Sequence, residues 1–193
     1  MITTEVMGGL GNQLFQIFSL ISYSIDNNIN FFIQDKSLTE GDRDITYWNN
    51  LFINLKSYLK PVRNIPVLNW FQHHYIDIPI ITERDFKLMG YFQSYKYFHH
   101  NYDKIENILK LNDIKNQYNN KYDYENIISL HFRIGDYINL QDFHHLLSID
   151  YYINVLGKLI KDTNRNDWNI LYFYEESDKD MIDKNINILK EKY

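Results

Sequence analysis

One stretch constrains the fold more than any other. It runs Asn126-Ile127-Ile128-Ser129-Leu130-His131-Phe132-Arg133-Ile134-Gly135-Asp136-Tyr137. Residues 126–130 are a short apolar, β-branched run, the pattern of a buried strand. A histidine, an arginine and an aspartate then follow where the strand must end. Gly135 marks that end, because glycine reaches backbone angles closed to other residues. On a strand, His131 and Arg133 stand two apart and point the same way. Polar side chains leaving the carboxyl end of a strand in an α/β sheet stand where such folds bind ligands. The same spacing also suits a surface turn in which Arg133 and Asp136 form a solvated ion pair.

A second constraint lies near the amino terminus. Residues 2–7 read as a strand, Gly8-Gly9-Leu10-Gly11 as a tight turn, and residues 12–23 as a helix. That helix carries Leu14, Phe15, Phe18, Ile21 and Ile25 on one side. A glycine turn at a helix start exposes backbone N–H groups where the dipole favours an anion. Gly9-x-Gly11 is half of a dinucleotide fingerprint, with Leu14 where the third glycine would stand. A glycine-rich turn without a ligand fits the same residues.

Further on, the sequence predicts a strand at 30–34, a polar loop to 44, and a helix over 47–59 stopped by Pro61. Irregular structure with short extended pieces should fill 62–82. A strand at 86–92 and amphipathic helices at 102–111 and 114–122 follow. The polar segment 116–126 is the expected boundary between a domain of residues 1–123 and one of 124–193. After the key strand come a loop at 138–148, a helix at 150–161, a strand at 170–174 and a helix at 178–190. Ser177 is the expected N-cap of that last helix, with Asp180 completing a capping box. Strands alternating with helices predict an α/β protein with parallel sheets of Rossmann type. The second domain is expected to be incomplete, because two parallel strands leave unpaired edges.

Composition narrows the function classes. Hydrophobic residues are 45% of the 193, enough for a packed core, and a net charge of -5 argues against a broad nucleic-acid surface. The absence of cysteine rules out disulfides, thiolate metal sites and a cysteine nucleophile. No basic region precedes an apolar core at the amino terminus, and no window approaches the roughly 18–20 apolar residues of a membrane span. The expectation is a soluble, cytoplasmic protein. His73-His74, His99-His100 and His144-His145 are neighbours whose side chains diverge on a strand or helix, which makes each pair a poor chelate. Residues 70–75, rich in aromatics, suit either core packing or a sugar platform.

Four stretches, in order, carry a resemblance. They are Gly8-Gly9-Leu10-Gly11-Asn12-Gln13-Leu14-Phe15-Gln16, then Gly90-Tyr91-Phe92-Gln93-Ser94, then His131-Phe132-Arg133-Ile134-Gly135-Asp136-Tyr137, and His144 followed by Ser148-Ile149-Asp150-Tyr151-Tyr152. Together they resemble the α-1,2-fucosyltransferase family; the third is similar to its His-x-Arg-Arg-Gly-Asp-Tyr motif, with Ile134 replacing the second arginine. The resemblance implies two Rossmann-like domains of the GT-B type. It implies GDP-fucose as donor, a galactose-containing acceptor glycan, an inverting transfer, and no metal or other cofactor. It assigns Arg133 to the donor diphosphate, and Asn12 and the glycine turn to the reacting centre. His131 and Asp136 would shape the donor pocket, Asp136 counted among the catalytic residues with Arg133 and Asn12. Gly9, Gly11, Gln13, Tyr137 and Glu175 complete the implied donor-binding set.

The family continues past a Phe-Ser-Asp-Asp segment, here Phe173-Tyr174-Glu175-Glu176, to a Ser-Thr-Phe-Ser-Trp-Trp-Gly motif that this sequence lacks. Two other functions stay open. One is a truncated, inactive nucleotide-sugar-binding or interaction module. The other is a dinucleotide-dependent oxidoreductase using Asp35 after the second strand.

Overall fold

The computed structural model describes residues 1–35, 47–61, 64–82, 85–119 and 124–193, without the side chains of Tyr124 and Asp136. The polar loop expected up to residue 44 falls mostly outside these residues. The chain is mixed α/β and divides into two compact units, Met1–Asn119 and Asn120–Tyr193, each described by itself.

The first unit opens with β1 (Ile2–Thr4), α1 (Leu10–Asp26) and β2 (Ile33–Asp35). β3 (Leu59–Pro61), β4 (Val67–Asn69) and β5 (Phe86–Met89) follow, then α2 (Tyr102–Leu109) and α3 (Leu111–Tyr118). Among the described residues every strand pair of this unit is parallel: β1 with β5, β5 with β4, and β2 with β3. Ile2 joins the two ladders. Its N–H donates to the Asn30 carbonyl (2.9 Å), and its carbonyl accepts from the Phe32 N–H (2.9 Å). The chain thus leaves β1 toward β2 on one side, while β5 lies on the other. The carboxyl end of β1, beside β5, is where the strand order reverses, the position at which open α/β sheets hold ligands.

Of the apolar residues expected on one side of α1, Phe18 and Ile21 are buried and Leu14, Phe15 and Ile25 partly so, while the opposite side is buried over the middle of the helix as well. Gln16 through Ser24 form an unbroken buried run. The reason is that α1 packs against the sheet and also against α2 and the Tyr95–Tyr97 turn. Ile17, Leu20 and Ile21 are fully buried with Ile2, Ile33, Phe52, Leu55 and Leu88, and such side chains contribute about 1.5–3 kcal/mol each. Burial favours partners for the polar residues of α1, and of these only the Ser19 hydroxyl has none among the described residues. Gln16 accepts from the Met7 N–H (2.9 Å) and donates to the Met7 carbonyl (3.1 Å), and Ser22 accepts from Asn101 Nδ2 (3.1 Å).

Several expected elements differ. The helix over 47–59 is replaced by 3-10 turns at Tyr47–Asn49 and Ile53–Tyr58, and Leu59 already belongs to β3. Lys60 precedes Pro61, which favours extended backbone, and a proline is tolerated on an edge strand. The two helices after residue 102 break earlier than expected. Lys110 takes left-handed backbone (φ 54°), which turns the chain so that Leu109 and Leu111 both reach the core. The strand from Phe86 ends at Met89, because Gly90 lies against the Trp70 carbonyl and Phe92 has φ 50°.

The second unit contains β6 (Ile127–His131), α4 (Ile149–Thr163), β7 (Asn169–Phe173) and α5 (Lys179–Lys192). β6 and β7 are parallel, in register from Ile127↔Asn169 to His131↔Phe173. Leu130, Phe132 and Tyr172 pack on Tyr152 and Leu156 of α4 and on Ile182, Ile186 and Leu189 of α5. Both helices cover that one face. Ser129, His131 and Phe173 on the other face are exposed. The expected capping box before α5 does not form. Asp178, not Ser177, is the N-cap, and its carboxylate accepts from the Gly135 N–H instead (2.9 Å). Among the described residues no helix is long and apolar enough to cross a membrane.

A Cβ at position 90 would overlap the Trp70 carbonyl. Gly90→Ala should therefore destabilise the first unit by about 1–3 kcal/mol, as overpacking does. Urea denaturation followed by tryptophan fluorescence tests this through a lower midpoint for that unit.

Candidate functional site

In the first unit the polar groups gather at the carboxyl ends of β1 and β5. Gly8 has φ 77°, and a Cβ there would lie 2.7 Å from Asn12 Nδ2, so the turn needs glycine at that point. Gly9 and Gly11 differ: a Cβ on either would meet nothing within 4 Å. Packing gives no reason for two glycines there, and their bare backbone lies open beside the start of α1. The first helical bond is Gln13 N–H to the Gly9 carbonyl (3.0 Å), so the N–H groups of Leu10, Gly11 and Asn12 have no acceptor within the helix. Gln13 folds back, its Nε2 donating to the Gly8 carbonyl (2.9 Å). Asn12 Oδ1 accepts from Gln93 Nε2 (2.7 Å), which ties the glycine turn to the segment after β5. Gln93 was not among the expected site residues; its presence in the Gly90–Ser94 motif is the signal that points to it.

In the second unit the parallel register brings two charges side by side. Arg133 lies two residues past the end of β6 and Glu175 two residues past the end of β7. Since His131 pairs with Phe173, the continuing strands place Arg133 Nη1 on Glu175 Oε1, and the two groups form an ion pair. The surface-turn alternative had Asp136 as the arginine's partner; the Asp136 side chain lies outside what is described. The Arg133 guanidinium sits 5.1 Å from the centre of the Tyr137 ring, and that ring stacks on His144 at 4.3 Å. Tyr137 lies in the 3-10 turn Gly135–Asn139. Gly135 has φ 25°, and a Cβ there would meet Glu175 Oε2 at 3.2 Å, so glycine lets the carboxylate come close.

His131 ends β6 with an exposed side chain, and its backbone carbonyl accepts from the Tyr152 hydroxyl (3.0 Å). Burial, with a smaller contribution from Tyr151, pushes the Tyr152 phenol above the ordinary tyrosine range. The bond from its proton therefore persists above the ordinary titration range and is lost as pH rises through the raised value.

The structure thus groups Gly9, Gly11, Asn12 and Gln13 in one unit, and His131, Arg133, Tyr137 and Glu175 at one strand end in the other. Asp35 ends β2. Another polar group, Ser22, His100 and Asp26, has the residue types of a hydrolase triad without its geometry. The Ser22 hydroxyl (3.4 Å) and the Asp26 carboxylate (2.8 Å) both reach the same ring nitrogen, Nε2, so the imidazole cannot pass a proton between them. Among the described residues no three His, Asp or Glu side chains gather as metal ligands. No family model, curated protein or solved structure matches the chain.

Gly11 occupies the first turn of α1 with open space around it. A glycine costs a helix about 0.5–1 kcal/mol relative to alanine. Gly11→Ala should raise the stability of the first unit by that amount, seen as a higher urea midpoint. A drop would show that the glycine is there for the backbone and not for open space.

Proposed function

We propose that the chain is a glycosyltransferase of the α-1,2-fucosyltransferase type. It would move L-fucose from GDP-fucose to a galactoside hydroxyl, with inversion and without a metal. Two Rossmann-like domains of the GT-B type belong to the same proposal. The observation that carries it is Arg133: a guanidinium about one-third exposed (32%) at the carboxyl end of a parallel strand, steered by the Tyr137 ring, inside the motif His131–Tyr137.

The chemistry suits such a group. As the bond between the fucose anomeric carbon and the β-phosphate oxygen breaks, negative charge grows on the departing GDP. The acceptor oxygen forms the new bond on the opposite face and gives up its proton. A guanidinium stays charged throughout and can hold two phosphate oxygens at once. Stabilising charge where it develops lowers the barrier, and losing one such donor costs about 3–4 kcal/mol, roughly a hundredfold or more in rate. In the first unit, Asn12 and the open amides of the glycine turn are a separate set of donors suited to a polar ligand.

One observation favours a second reading, a binding module without turnover: Arg133 already carries a carboxylate partner in Glu175. Incubating the chain with GDP-fucose and a simple β-galactoside separates the two. Transfer is expected from the native chain. Arg133→Ala should lower kcat at least about a hundredfold with an unchanged melting temperature. GDP binding without transfer would favour the binding module. Tight NAD binding without GDP binding would favour the oxidoreductase.

A further inference from the structure

We propose that the Arg133 site is closed by its own side chains, with Glu175 and Asp178 standing where two oxygens of a diphosphate would bind. This rests on the proposed donor role of Arg133 and goes beyond it, because it makes the β7–α5 connection a competitor of the ligand.

Two groups of the kind that hold phosphate oxygens lie side by side here. Arg133 offers charged donors and Gly135 offers a backbone N–H. Each is met by a carboxylate from the same short segment. Glu175 Oε1 pairs with Arg133 Nη1, and Asp178 Oδ2 accepts from the Gly135 N–H at 2.9 Å. The second oxygen of Glu175 lies over Gly135, where a Cβ would come within 3.2 Å of it. Glu175 therefore reaches across the arginine and the glycine together. Asp178 is also the N-cap residue of α5, yet its side chain makes no bond to that helix. Its carboxylate serves the neighbouring turn instead.

The pairing is weak enough to be displaced. Glu175 is half exposed (54%), and exposed pairs are worth little in water. A diphosphate brings more charge and more oxygens to the same donors. It must still displace Glu175, so its apparent affinity is lowered by the fraction of molecules in which Arg133 is occupied. Removing the Glu175 charge while keeping its shape should therefore tighten binding. Removing Asp178 should do the same through Gly135, with a smaller effect because that bond is uncharged on one side.

The test is calorimetric titration of the full chain with inorganic pyrophosphate. Glu175→Gln is expected to bind about fivefold more tightly than the native chain, the ratio set by an exposed ion pair. Asp178→Asn, which takes the carboxylate charge off the Gly135 N–H and leaves a weaker neutral acceptor, should bind about twofold more tightly and guards against misfolding of the first variant. In the Arg133→Ala background the gain from Glu175→Gln should vanish, since the two residues act through one contact. Equal or weaker binding by Glu175→Gln and Asp178→Asn overturns the proposal. If native binding nonetheless depends on Arg133, the donor role stands. Binding by no variant overturns both.

Discussion

Parallel pairing is the constraint on which both units depend. Strands that run the same way must be joined by a crossover, so their carboxyl ends fall on one edge together with the loops that leave them. In the first unit β1 has a bonded neighbour on each side: β5 on one, and the segment leading into β2 on the other. It is only three residues long, and Ile2 supplies the join between the ladders. The glycine turn and Gln93 meet because β1 and β5 are neighbours; they are 81 positions apart from Asn12 to Gln93. The same logic in the second unit makes Arg133 and Glu175 meet, 42 positions apart.

Much of the fold was legible wherever periodicity was strong. β6 and β7 lie within one residue of the expected runs, since β-branched and aromatic stretches bounded by polar residues have few other uses. The helices α4 and α5 lie within two residues of expectation for the corresponding reason. What failed was local pattern without tertiary context. Residues 47–59 have helical spacing, but Phe52 reaches the core from between two 3-10 turns, Leu55 from the second of them, and Leu59 is drawn into pairing with Ile33. β4 has exposed residues at both ends and exists through its pairing with β5.

The placement of Arg133 at a strand end was legible because Gly135 announces the turn. Its pairing with Glu175 was not, because that contact depends on register across the sheet, and a sequence does not display register between distant strands. Asp178 was hidden in another way: it reads as the first residue of the helix expected over 178–190, and here the Gly135 amide takes its side chain. In the glycine turn, residue identity alone does not separate the two kinds of glycine. Gly8 is required by its backbone angle, whereas Gly9 and Gly11 are surrounded by open space.

The amide clasp between Gln16 and Met7 has a kinetic consequence. The Met7 N–H is held by a side chain rooted in the buried stretch Gln16–Ser24 of α1. It cannot meet solvent through the small excursions that expose ordinary loop amides, because Gln16 would first have to leave the core with its helix. Hydrogen–deuterium exchange at this one residue, just ahead of an open glycine turn, therefore follows the undocking of α1 and not the motion of the loop beside it.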